Sequence, residues 1–189
     1  MTGEVQDSLN GEVTKPLPVK RVSFALGRFW PDMLLPLTVL YSPLLKLRYR
    51  SALTCCCNQI DLAAHRTVFR CPQEAPNKLA VDLELAGLEP PLGTIYVRGS
   101  ETRKATEGSV EIFEDARGVL AAAIVKLPES EIDPYTTLGV TLHELGHLLG
   151  LTHSDDPGSV MNSNAQIRPQ LLSEKDCSVL ARIYSKNNL

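Results

Sequence analysis

Three of the four histidines of this 189-residue chain lie in one short stretch, and their spacing restricts what that stretch can form. His143 and His147 are four residues apart, so on an α-helix both imidazoles lie on one face, close enough to bind one cation. Gly150 predicts the end of that helix, because glycine adopts positive φ without a steric clash and can reverse the chain. The reversal would bring His153 under the same metal ion. Glu144 is placed to hydrogen-bond a water on that metal without being a ligand itself.

Three neutral imidazoles with one open coordination position are typical of a catalytic zinc site, not of a closed structural one. The full pattern is H-E-x-x-H-x-x-G-x-x-H, with Met161 eight residues after the last histidine. This pattern is the zinc-binding signature of metzincins. The alternative, a surface helix with scattered histidines, accounts for neither the spacing nor the glycine. We therefore predict one catalytic Zn²⁺ bound by His143, His147 and His153, with Glu144 as the catalytic residue.

The apolar periodicity of the chain predicts a mixture of helices and strands. The motif helix is expected to begin at Asp133-Pro134, because an aspartate N-cap followed by proline is a typical helix start. Ser173 is expected to cap a last helix. The other predicted elements are strands at Leu37–Tyr41, Leu79–Leu85, Thr94–Arg98, Val110–Glu114 and Val119–Leu127, and a helix from Arg48 to about Arg66.

Composition favours one globular domain. With 43% hydrophobic and 22% charged residues, the chain can bury a core, and we expect one folded domain at 31–189 after a polar N-terminal extension at 1–30. The net charge of −3 and the scattered basic residues predict no nucleic-acid partner.

The cellular location is predicted from the lack of targeting and membrane-spanning patterns in the sequence. The N-terminus shows no signal-peptide pattern, and the apolar stretches are too interrupted for a membrane span. The five cysteines are odd in number and three are consecutive, unlike a secreted disulfide framework. These features predict a cytoplasmic protein without a membrane partner, with unconventional export as the alternative.

The chain resembles metzincin metallopeptidases and, among them, is most similar to matrixins. The resemblance rests on four stretches: the zinc signature His143–His153, Ser154 directly after it, Ser159-Val160-Met161, which resembles the Met-turn, and Leu172–Asp176 followed by Tyr184, which resembles the matrixin C-terminal helix. It implies that Met161 forms an apolar floor under the metal and that Asp176 supports this turn.

The resemblance also implies the fold. We expect an α+β, zincin-like fold with a twisted, mostly parallel sheet, an antiparallel edge strand, an active-site helix, the Met-turn and a C-terminal helix. Substrate would pair with the edge strand. Val119–Leu127 is our candidate for that strand because its small alanines suit close backbone approach; an ordinary core strand is the alternative.

The implied function is that of a zinc-dependent endopeptidase, in which a zinc-activated water hydrolyses internal peptide bonds and Glu144 is the general base. The substrate is expected to be a peptide or protein bound as an extended strand. One variant is a peptidase that acts on a single specific partner or on the chain's own N-terminal arm. The alternative is a zinc-stabilised binding or structural module with little or no turnover. No second, structural zinc is expected, because only His65 remains outside the motif. Asn162-Ser163-Asn164 replaces the Pro-x-Tyr that usually follows the Met-turn in matrixins, so the substrate preference of the family cannot be carried over. The sequence does not predict calcium binding or oligomeric state.

Overall fold

The computed structural model describes residues 20–22, 29–100, 107–129, 133–163 and 169–185. Most of the predicted extension at 1–30 lies outside these residues, as does Asn164. The described strands are β1 (Lys20–Val22), β2 (Thr38–Tyr41), β3 (Gln73–Glu74), β4 (Thr94–Ser100), β5 (Ser109–Glu114) and β6 (Leu120–Pro128). The described α-helices are α1 (Leu47–Ala64), α2 (Asn77–Glu84), α3 (Pro134–Leu148) and α4 (Glu174–Tyr184).

The described strands form one sheet in the order β1-β5-β6-β4-β2-β3. The pairs β6–β4, β4–β2 and β2–β3 are parallel, whereas β5 pairs antiparallel with both β6 and β1. The predicted α+β fold, with a mostly parallel sheet that is antiparallel toward one edge, is therefore confirmed.

The main core lies between the sheet and the helices α1, α3 and α4. Leu53 and Ile60 of α1 and Leu142 and Leu145 of α3 are fully buried in one cluster with Val97 of β4. A helix buried in this way is held along its length, so α3 is a rigid support for whatever side chains it carries.

The strand predicted at Leu79–Leu85 is wrong, because this segment forms α2. Ala80 and Leu83, three residues apart, are buried in the cluster that contains Tyr96, whereas Leu85 is 82% exposed. The alternation of apolar and polar residues over this short segment fits either structure, and packing of one helical face against the sheet decides it.

The proposal that Val119–Leu127 is an edge strand is also wrong. β6 lies between β5 and β4, and Ala123 faces Ile112 on one side and Ile95 on the other. Ala123 shares the main buried cluster with Leu142 and Leu145, so its small side chain allows α3 to pack closely instead of admitting a peptide. This is the core strand that the sequence left as the alternative.

In the part of the chain that the structure describes, no helix combines the length and the apolar character needed to cross a bilayer.

Candidate metal centre

The helix that carries the zinc motif begins as its sequence predicts. The Asp133 carboxylate accepts hydrogen bonds from the backbone N–H of Tyr135 at 2.9 Å and of Thr136 at 3.0 Å, and Pro134 occupies the first turn. A hydrogen bond from the Thr136 hydroxyl and these backbone bonds lower the pKa of Asp133 below its usual value. The cap fixes where α3 starts and therefore which of its residues face the cleft.

His143 and His147 lie on one face of α3, and each ring is fixed by a backbone carbonyl. His143 Nδ1 lies 2.7 Å from the Val160 oxygen, and His147 Nδ1 lies 3.0 Å from the Leu151 oxygen. A carbonyl only accepts, so Nδ1 of each neutral ring carries the proton and donates it. The unprotonated nitrogen is then Nε2, which is the atom that a metal ion would bind.

His153 joins the other two through the chain reversal after α3. Gly150 has φ of 89°, in the left-handed region that favours glycine, and Leu151 N–H donates to the Gly146 carbonyl at 3.0 Å. The expected helix end at Gly150 is thus observed. The reversal brings one ring nitrogen of each of the three histidines within 4.8 Å of the others.

The donor set fits zinc. His147 Nε2 and His153 Nε2 are 3.2 Å apart. Two nitrogens bound to a tetrahedral zinc at about 2.0–2.1 Å lie about 3.4 Å from each other. Because His147 Nε2 is unprotonated, this spacing accommodates a cation bound by both nitrogens, and without an ion it accommodates a hydrogen bond donated by His153 Nε2.

Glu144 lies beside the three histidines and is only 4% exposed. Its position depends on Gly108, where an added Cβ would lie 2.6 Å from Glu144 Cγ and 2.7 Å from the Lys126 carbonyl oxygen. Any side chain at this position would therefore displace the Glu144 side chain and also press on the backbone of β6. Nothing in the sequence singles out Gly108, because the contact depends on the order of strands in the sheet.

Met161 lies directly behind the motif helix. It is 1% exposed, and an added Cβ on Gly146 would lie 2.5 Å from its sulfur, so the glycine of the motif permits this close approach. Asp176 holds the turn that carries Met161: its carboxylate accepts from the Ser159 hydroxyl at 2.7 Å and from Val160 N–H at 3.2 Å. The support that the resemblance implied for Asp176 is thus present in the structure.

The end of α3 is tied to two distant parts of the chain. The Trp30 indole donates to the Leu148 carbonyl at 2.9 Å, and the Tyr184 hydroxyl donates to the Leu149 carbonyl at 3.1 Å. Carbonyls in the last turn of a helix have no partner within it, so these side chains satisfy two of them. Sequence reasoning had not assigned a role to Trp30.

A cleft of about 660 Å³ opens over the histidines. Its walls are formed by His143, Glu144, His147 and His153 together with the start of β5 and the residues before it, including Gly108, Ser109 and Val110. The metal-binding face of α3 therefore looks onto the sheet at β5. His65, the remaining histidine, is exposed at the C-terminal cap of α1.

The convergent histidines, the chain reversal at glycine and the methionine-bearing turn beneath them are the features of the metzincin signature. Residues 102–185 match the family model of the matrixins, which confirms the predicted resemblance over the part of the chain from the loop before β5 to the end of α4. A comparison of the chain with curated proteins found no match.

Proposed function

We propose that this protein is a zinc-dependent endopeptidase. The observation that carries the proposal is the convergence of three histidine nitrogens within 4.8 Å of one another beside the buried carboxylate of Glu144. The match to matrixins supports a zinc metallopeptidase in general, and cleavage of internal peptide bonds is our extension of it.

Each residue at the site has a separate task. His143, His147 and His153 would hold the zinc, which when bound supplies a Lewis acid for the scissile carbonyl and lowers the pKa of a neighbouring water. The Glu144 carboxylate accepts the proton of that water and passes it to the nitrogen of the leaving amine. Gly108 keeps this carboxylate in place, and burial at the site strengthens its electrostatic interactions.

Substrate is proposed to bind as an extended strand along β5. This assignment replaces β6, which is covered on both sides, and it is supported by the position of Ser109 and Val110 in the cleft wall. One edge of β5 pairs with β6, and the other edge pairs with β1 over residues 112–114. The substrate is proposed to pair with this outer edge nearer the start of β5, where Ser109 and Val110 lie in the cleft wall. A peptide that pairs there would lie beside Glu144.

The proposal is tested by incubating the zinc-loaded full chain with a fluorogenic peptide library. Glu144→Gln keeps the size and hydrogen-bonding shape of the side chain but removes the base, so it should retain one zinc per chain and lose cleavage. A chelator should abolish cleavage by the unmodified protein, and zinc should restore it. Wild-type rates in Glu144→Gln would overturn the mechanism. One bound zinc with no cleavage of any peptide would favour the alternative of a zinc-stabilised binding module.

A further inference from the structure

The outer edge of β5 is partly covered by the N-terminal part of the same chain. β1 pairs antiparallel with β5, with Lys20 opposite Glu114, Arg21 opposite Phe113 and Val22 opposite Ile112. Residues 112–114 of β5 therefore have a neighbouring strand on both sides. Ser109–Glu111 pair with β6.

The direction of β1 is the direction that an antiparallel substrate strand would take. From Lys20 to Val22 the chain runs along β5 from Glu114 toward Ile112. The next residues of β5 in that direction lead to Val110 and Ser109 in the cleft wall, about 10 Å further at the usual rise per residue. Thus β1 approaches the metal centre along the edge at which we place the substrate.

We propose that Lys20–Val22 competes with substrate for the outer edge of β5, so that the chain's own N-terminal segment limits the length of peptide that can pair with the sheet. This inference rests on the proposed function. In the resting state Lys20–Val22 occupies the outer edge of β5 at residues 112–114. A longer peptide binds fully only when β1 is displaced.

Displacement is feasible because β1 is short. It has three residues, and few backbone hydrogen bonds can form over that length. A peptide that runs in the same direction offers the same backbone groups to β5, so the exchange replaces one set of hydrogen bonds with another. The segment therefore acts as a competitor whose effect is seen in KM for long substrates.

The first test uses the full chain with the double substitution Arg21→Pro/Val22→Pro. Successive residues of a strand point their N–H groups in opposite directions, so prolines at both positions remove whichever donor faces β5. The matched control, Arg21→Ala/Val22→Ala, changes the same side chains and keeps both donors. The substrates are two versions of one library-derived peptide. The short version has about two residues before the scissile bond, and the long version has about five, so that it reaches past Glu111.

We expect the proline variant to lower KM for the long peptide about tenfold, the effect of one or two backbone hydrogen bonds, with kcat unchanged and with no effect on the short peptide. The alanine control should behave like the unmodified chain. Equal KM for the long peptide in all three proteins would overturn the inference while leaving the proposed endopeptidase intact.

A second measurement does not depend on activity. Amide hydrogen exchange of residues 112–114 should be faster in the proline variant than in the alanine control. A synthetic peptide with the sequence of residues 14–26 should slow it again, and the same peptide carrying Arg21→Pro/Val22→Pro should not. If these exchange rates do not respond, the inference fails. If they respond while no protein cleaves any peptide, the competition for β5 stands and the proposed function fails.

Discussion

Two segments flank the three histidines, and they are held in different ways. The floor segment, Ser159–Asn162, is fixed by side-chain hydrogen bonds centred on one buried carboxylate, that of Asp176. The rim segment, Glu107–Val110, is fixed by strand pairing with β6 and by the absence of a side chain at Gly108. The difference implies that damage to the floor segment appears first as lost stability, whereas damage to the rim segment appears first as lost activity.

The largest effect is expected for Asp176→Ala. The change leaves the Ser159 hydroxyl and the backbone N–H groups of Val160 and Ser173 without their buried acceptor. Buried donors that lose a partner cost about 1–3 kcal/mol each, so urea titration should show a free energy of unfolding lower by about 3–5 kcal/mol.

Glu174→Ala is the control for Asp176→Ala, because Glu174 lies in the same helical turn but is exposed. It should change the free energy of unfolding by no more than about 0.5 kcal/mol. A similar small loss for both variants would show that Asp176 does not hold the floor segment.

The next effect is expected at the rim segment. Gly108→Ala introduces a Cβ that would lie 2.6 Å from Glu144 Cγ, so the carboxylate must move. A displacement of about 1 Å can lower catalysis about a hundredfold, and we expect that loss in kcat. Zinc content should stay at the value of the unmodified protein. The urea midpoint should fall less than in Asp176→Ala, since the Cβ would also lie 2.7 Å from the Lys126 carbonyl oxygen and the backbone of β6 must shift slightly.

Gly158→Ala is the matched control for the rim variant. An added Cβ there makes an ordinary contact of 3.4 Å with Asp156, so both activity and stability should be unchanged. If Gly108→Ala instead lowers the urea midpoint as strongly as Asp176→Ala, the contrast between the two segments is wrong.

The two segments also differ in how far the sequence predicts them. The floor segment lies close in sequence to the histidines, and its support, Asp176, lies in a capping box with Ser173 that local sequence reveals. Motif spacing acts over a few positions, so it indicates His143, His147 and His153 as neighbours before any packing is known. The place of Met161 beneath them was predicted from the resemblance to matrixins.

The position of the rim segment depends on the order of strands in the sheet. This order cannot be predicted from the sequence of any one strand. The apolar alanine-rich strand β6 looks suited to close approach, yet its neighbours turn out to be β5 and β4. The same limit explains α2, whose short apolar pattern fits a strand until its buried face against Tyr96 is known. The role of Gly108 cannot be predicted from the sequence for the same reason, since its contacts come from β6 and α3.

A smaller effect is expected for Gly146→Ala, which tests the floor segment from the helix side. The new Cβ would lie 2.5 Å from the sulfur of Met161, which is itself buried. Alanine gains about 1 kcal/mol of helix propensity, but overpacking of a filled core costs about 1–3 kcal/mol. We expect a net loss of about 1–2 kcal/mol in urea titration and weaker zinc binding, measured by competition with a chelator. Unchanged zinc affinity would show that Met161 can move without disturbing the histidines.

The smallest effect is expected for Tyr184→Phe, which removes a single hydrogen bond behind the site. Burial raises the pKa of the Tyr184 hydroxyl, so it remains protonated and donates to the Leu149 carbonyl at 3.1 Å. Its loss should lower the free energy of unfolding by about 1 kcal/mol, because one buried acceptor at the helix end loses its partner. Activity should not change, since the hydroxyl touches neither the cleft nor Glu144. A fall in kcat at full zinc content would mean that a shift at the end of α3 also moves the Glu144 carboxylate. In that case a change on this side of the helix would lower activity as well as stability.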